Sequence, residues 1–246
     1  MYFTFRDLKV YYNVVGNGET LVFLHGWGVS SSTFDDVINE LKNYYQIVTI
    51  DFSGFGLSEE PKTPFTLHDY VEEFKALIEY LNLQNITIVA HSFGGRVAIS
   101  YCNKYDVKKL ILVDSAGIRR LSLKTLYKIY RYKLLKLIYY VFSKKKLEKL
   151  KVKSGSSDYQ KASIIMKQTM SKVIKVNLKK EIKNLDCKLL IFWGYYDTVT
   201  PIKDALFIQK HNSNARLIIF FHSGHFPYID EKNKFIKAII SGGLNE

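Results

Sequence analysis

Six short apolar runs recur along this chain: Leu21–Leu24, Ile47–Ile50, Ile86–Ala90, Leu110–Val113, Leu189–Trp193 and Leu217–Phe221. Each is strand-sized, and stretches of helical spacing separate most of them. Thr66–Leu81, for example, places Val71, Phe74, Leu77, Ile78 and Leu81 on one helical face. Ser30–Asn43, Phe93–Asn103, Lys203–Lys210 and Tyr228–Ile240 read as further helices, and Met1–Val15 as two antiparallel strands joined near Asp7–Leu8. Uniformly apolar strands alternating with helices call for a mainly parallel sheet covered on both faces. The expected fold is therefore α/β: a mainly parallel eight-stranded sheet, helices on both faces, and a long helical insertion before Leu189. In such sheets, ligand-binding groups gather in the loops beyond the carboxyl ends of the strands.

A chain of 246 residues suits one such core with a modest insertion better than two independent domains. The expected division is 1–116 and 184–246 for the core and 117–183 for the insertion, with Lys144–Lys146 and Lys151–Ser157 as linker-like stretches. No apolar run is long enough to cross a bilayer. Met1–Val10 carries Arg6, Asp7 and Lys9 and no signal-like apolar stretch, so a cytoplasmic protein is expected. Nothing requires Cys102 and Cys187 to pair.

The net charge of +13 would suggest nucleic acid if it were spread evenly, and it is not. Gly117–Lys183 holds 20 of the 36 Lys and Arg but only 3 of the 23 Asp and Glu, a local balance of +17 against −4 elsewhere. Lys124, Lys128, Arg131 and Lys136 recur there near helical spacing, with Leu123, Leu126, Leu134, Leu137, Ile138 and Val141 as apolar faces and tyrosines between. A solvated face reflecting Lys-rich composition is one reading. The others are an anionic membrane surface, a field attracting small anionic substrates, and an acidic protein partner. No nucleic-acid-binding motif accompanies the charge.

The chemistry concentrates at Ile86-Thr-Ile-Val-Ala-His-Ser-Phe-Gly-Gly95, an apolar strand that turns through Ser92 directly into a helix. A serine on so tight a turn projects its hydroxyl beyond the sheet edge, near the positive end of the next helix. This segment resembles the nucleophile elbow of the α/β-hydrolase family, usually written G-x-S-x-G, with Ala90 in place of the first glycine. Gly194-Tyr-Tyr-Asp197 resembles that family's acid loop, and His222-Ser-Gly-His225 the loop that carries its histidine. The order of nucleophile, acid and histidine matches too. The resemblance covers nearly all of Leu21–Leu112 and Leu189–Ile240, in the esterase-like branch with a serine nucleophile and a helical cap. Cys187 departs from it, standing where relatives often carry proline.

It implies Ser92 as nucleophile, His225 as base and Asp197 as the group that orients the imidazole. Asp114, also at a strand end, is the alternative acid, and His222 is expected to pack rather than react. The backbone N–H groups of Trp27, in His25-Gly-Trp-Gly28, and of Phe93 would receive an oxyanion. Asp51-Phe-Ser-Gly54-Phe-Gly56-Leu-Ser58 matches a further family signature and reads as structural support. Trp27, Phe93, Met166, Met170 and Phe226 are expected to line the substrate pocket, with Ser154–Tyr159 as a hinge. A serine rather than a carboxylate at the elbow points away from haloalkane or epoxide chemistry. No metal set is spaced convincingly, and no cofactor is called for.

The expected activity is cleavage of a small or medium carboxylic ester through an acyl-enzyme. Carrier-protein methyl ester esterases resemble this chain, so an acidic acyl carrier protein is one candidate for the basic segment. Carbon–carbon bond hydrolysis or lysis on the same fold, and a non-catalytic ligand receptor, are the competing functions.

Overall fold

The computed structural model describes residues 1–119, 123–143, 145–146 and 157–242. The strands are β1 (Tyr2–Phe5), β2 (Leu8–Val15), β3 (Thr20–Leu24), β4 (Gln46–Ile50), β5 (Thr87–His91), β6 (Lys109–Val113), β7 (Lys188–Gly194) and β8 (Ala215–Phe220). They form one sheet in the order β1-β2-β4-β3-β5-β6-β7-β8. β2 runs antiparallel to β1 and β4, and every later pairing is parallel.

Alternation within the strands feeds two cores. Val22, Leu24, Ile88, Ala90, Leu110 and Leu112 face one layer, and Leu21, Phe23, Val89, Ile111 and Val113 face the other. Helices α2 (Leu67–Tyr80) and α3 (Phe93–Cys102) cover the first layer, and α1 (Asp35–Leu41) covers the second. Each fully buried leucine or phenylalanine contributes roughly 1.5–3 kcal/mol. That is why a four-residue apolar run suffices to place a strand.

Between β6 and β7 the chain forms α4 (Leu123–Phe142), α5 (Ser157–Lys161), α6 (Ile164–Val173) and α7 (Lys179–Lys183). Then come α8 (Lys203–His211), α9 (Pro227–Asp230) and α10 (Lys232–Ile240), the last on the second layer with α1. The linker-like stretch 151–157 and the hinge at Ser154–Tyr159 fall mostly outside the described residues, as does Lys144.

Two helices differ from expectation. The first turn of the Ser30–Asn43 stretch is a 3-10 turn over Ser31–Phe34, where the Ser31 N–H donates to Asp51 Oδ1 (2.8 Å). Tyr228–Ile240 is two helices broken at Glu231, whose carboxylate accepts from the His222 N–H and the Ser223 hydroxyl (both 2.8 Å). Both irregular positions carry a hydrogen bond to a distant loop, Asp51 taking an amide that a helix start leaves unpartnered and Glu231 holding the turn after β8. Among the described residues, no helix is long and apolar enough to cross a membrane.

Candidate active site

Ser92 sits where β5 ends and α3 begins, with φ 49° and ψ −108°. A non-glycine residue in such a region costs of order 1–3 kcal/mol and persists only where its surroundings hold it. Here the Ser92 N–H donates to the Val113 carbonyl and the Gly94 N–H to that of His25 (both 3.0 Å). A Cβ on Gly94 would collide with the Leu24 backbone, so the elbow closes against β3 only with glycine there.

Ser92 Oγ lies 3.0 Å from His225 Nε2, and His225 Nδ1 lies 2.7 Å from Asp197 Oδ2. A carboxylate can only accept, so Nδ1 carries the imidazole proton and Nε2 accepts from the serine hydroxyl. Asp197 follows β7, and its Oδ1 accepts from the Val199 and Thr200 amides (2.6 and 3.0 Å). The Thr200 hydroxyl donates to Oδ2 (2.6 Å). Burial pushes the Asp197 carboxyl upward, but the hydrogen bonds from His225 and Thr200 outweigh it and hold it at about 2. Gly194, the last residue of β7, has no room for a side chain against the Gly224 carbonyl, which lets the acid loop and the histidine loop touch.

Three supporting groups have no obvious signal in the sequence. His91 donates from Nε2 to the His225 carbonyl (2.8 Å) and accepts from the Tyr228 hydroxyl at Nδ1 (3.3 Å). Burial, with the neighbouring His225, drives His91 down to about 3, so it stays neutral and fixes its neighbour's backbone. His25, also buried, donates from Nδ1 to the Gly26 carbonyl and accepts the Phe52 N–H at Nε2 (2.7 and 3.0 Å). It thus ties the loop carrying Trp27 to the Asp51–Ser58 loop, whose Asp51 carboxylate accepts from Ser31 and Leu57 amides. Thr200 is the third. The partners of His91, and the Phe52 amide that binds His25, are distant in sequence, whereas Thr200 acts on Asp197 only three residues away.

Trp27, Phe93, Met170 and Phe226 line one cavity of about 680 Å³ with Ser92 and His225. Ile118, Val173, Ile174, Val199 and Arg96 complete much of its wall. The expected pocket is revised at Met166, which lines an adjoining hollow of about 520 Å³ and lies over Gly54. It shares a helical face with Met170, but one turn of α6 carries it onto the Asp51–Ser58 loop. Among the described residues, neither the Trp27 nor the Phe93 backbone N–H donates to a protein group. His222 does not pack as expected; it is exposed, because β8 ends at Phe220 and the turn carries its side chain outward.

Asp114 lies beside this array at the end of β6, fully buried, with Oδ1 accepting the Gly194 N–H (3.0 Å). Burial, then the Asp197 carboxylate, pushes it well above the ordinary carboxyl range, opposite to the shift of Asp197. Asp114, Asp197 and His225 offer donor atoms within 4.8 Å of one another, the one such cluster among the described residues. His225 Nδ1 and Asp197 Oδ2 are committed to each other, however, and a cation there would have to break that bond.

The family model of the alpha/beta hydrolase fold matches residues 19–232. The chain belongs to the alpha/beta hydrolase fold family, and it is an enzyme of the hydrolase class. It is 26% identical to the AB hydrolase superfamily protein YisY of Bacillus subtilis, with 96% of each chain covered. It is also 26% identical to a pimeloyl-[acyl-carrier protein] methyl ester esterase of Nitrosomonas europaea, over 94% of this chain and 98% of that one. Among solved structures, an esterase from Exiguobacterium antarcticum superposes with a TM-score of 0.75 at 23% identity, covering 97% of this chain and 96% of the other.

Proposed function

We propose that this chain hydrolyses carboxylic esters of small or medium acyl groups through an acyl-enzyme on Ser92. The observation that carries the reading is the unbroken line Ser92 Oγ–His225 Nε2, His225 Nδ1–Asp197 Oδ2, opening on an apolar-walled cavity. His225 Nε2 takes the serine proton as Oγ attacks the carbonyl carbon, and Asp197 stabilises the imidazolium. The Trp27 and Phe93 N–H groups receive the oxyanion. Collapse expels the alcohol, protonated by Nε2, and leaves the acyl group on Oγ. A water then gives its proton to Nε2 and attacks the same carbon; Oγ leaves and recovers the proton. Every proton and electron pair comes from these groups and water, so the cycle needs no cofactor. Residues 117–183 act as the cap, which the contribution of Met170, Val173 and Ile174 to the cavity wall supports.

The test is labelling with a fluorophosphonate, wild type against Ser92→Ala, followed by turnover of p-nitrophenyl esters of increasing chain length. Labelling should vanish in the variant and kcat should fall roughly 10⁴-fold or more. A folded wild type that takes no label and turns over no ester would favour a ligand receptor instead.

A second reading concerns what the basic segment meets. On α4, Tyr127, Tyr130, Leu134, Leu137 and Ile138 fall on one helical face and are 39–68% exposed. Tyr132, Leu135 and Tyr139, on another side, are only partly exposed, so the apolar stripe points outward. Exposed Arg131 and Lys133 flank it, and exposed Lys136 lies on the opposite side. An apolar stripe bordered by cations is the anatomy of a helix that lies in an anionic lipid interface. A second copy would bring like charge against like charge. The occupant proposed is an anionic bilayer surface. Sedimentation with vesicles containing phosphatidylglycerol should carry the protein down, and Leu134→Glu/Leu137→Glu should abolish this. Binding instead to an acidic acyl carrier protein, and not to vesicles, would overturn it; the esterase relatives named for such a carrier make that arm worth running.

A further inference from the structure

Arg96 stands four residues, one turn of α3, after Ser92 and lines the same cavity. It is only 8% exposed. Among the described residues, no carboxylate pairs with it. Asp204 lies on the same wall and has an interaction of its own. Buried cations are ordinarily matched by an opposite charge, because desolvation is otherwise uncompensated. Burial draws this guanidinium from its ordinary 12.5 to about 10, which still leaves it charged at neutral pH.

The donors are unevenly used. Nη1 donates to the Val176 carbonyl at 2.8 Å and lies 3.5 Å from that of Val173, at the end of α6. That contact explains why a donor belongs there, since the last carbonyls of a helix lack partners. It does not explain a full guanidinium. Among the described residues, Nε and Nη2 donate to no protein group. Together they form the fork that matches the two oxygens of a carboxylate. Ala116, Ile118, Met170, Val173 and Ile174 share the wall and suit a short run of methylenes.

We infer that Arg96 anchors a free carboxylate carried by the substrate, so that the cavity takes half-esters of α,ω-dicarboxylic acids. The inference rests on Ser92 being the nucleophile for its substrate class, but not for the anion site itself. Arg96 is a positioning residue: the carboxylate bound there sets which carbonyl rests over Ser92 Oγ. The guanidinium makes and breaks no bond in the reaction.

The kinetic test compares mono-p-nitrophenyl glutarate with p-nitrophenyl butyrate. Wild type should prefer the charged ester, and in Arg96→Gln the ratio of the two kcat/KM values should fall by about 10- to 100-fold, the worth of a charged hydrogen-bonded pair. The loss should lie in KM for the half-ester, and Arg96→Lys should restore part of the ratio. Equal losses on both esters would reduce Arg96 to a clamp on the end of α6 and overturn the inference. A binding arm is independent of turnover: calorimetry of monomethyl glutarate with Ser92→Ala, and with Ser92→Ala/Arg96→Gln. Binding present in the first and absent in the second supports the anchor even if the serine chemistry fails. Equal affinity in both sinks it even if esters are hydrolysed. Tighter binding of methyl 4-phosphonobutyrate would reassign the site to a phosphoryl group and overturn the carboxylate.

Discussion

Two carboxyls on neighbouring strand ends, Asp114 after β6 and Asp197 after β7, are shifted in opposite directions. The consequences for stability have opposite signs. Asp197, held at about 2 against an ordinary 3.8, contributes stability that is present above pH 3.8 and lost as pH falls toward 2. Asp114, shifted upward, holds its proton above pH 3.8, where the unfolded chain releases it, so its burial costs stability increasingly from there up to its raised folded value. Asparagine can accept the Gly194 N–H as the acid does, without that cost. The stability of Asp114→Asn relative to wild type should therefore rise between pH 4 and pH 7 in thermal melts. A difference that is flat with pH would mean that Asp114 is ionised in the fold. Ser92, Asp197 and His225 were legible because each follows an apolar run at a strand end. Thr200, His91 and Arg96 were not. His91 matters through the backbone of the His225 loop, Thr200 through its hydroxyl on Asp197 in a turn whose shape no motif states, and Arg96 looks like any polar position on a helix until its burial is known.

Among the elements, α2 shows how much local chemistry can settle. Thr66 Oγ1 accepts the Asp69 N–H and Asp69 Oδ2 accepts the Thr66 N–H, a reciprocal cap at the helix start. Thr66→Ala should cost about 1 kcal/mol in urea unfolding. Because Arg6 also binds Asp69, from the far end of β1, the loss will be felt at the sheet edge as well. The six strands of the covered part of the sheet were readable as apolar runs because helices bury it on both faces, and β1 and β2 were readable as an antiparallel pair. The breaks at Ser31–Phe34 and Glu231 were not readable. Each coincides with a hydrogen bond across the chain, from Ser31 to Asp51 and from His222 to Glu231. The α4 stripe was visible as helical spacing, but its outward aim is a tertiary property.

At the scale of the whole molecule, charge is segregated: +17 lies between Gly117 and Lys183, and the rest carries −4. Attraction of that segment to an anionic surface is therefore screenable. Raising salt from about 0.1 M to about 1 M shortens the screening length from about 10 Å to about 3 Å. Vesicle binding should weaken over that range, while turnover of a neutral soluble ester should not follow it. A salt-independent vesicle association would leave the apolar stripe alone as its cause. The site is also assembled from the two ends of the connectivity. Ser92 meets His225 across 133 residues, and the His91 ring holds the His225 backbone across 134. No fragment ending before β8 contains the whole candidate site, so on the proposed reading a nascent chain stays inert until His225 has emerged and its loop has docked. Regain of turnover during refolding will thus time the closing of the final strand, and catalysis becomes a clock for the completion of the sheet.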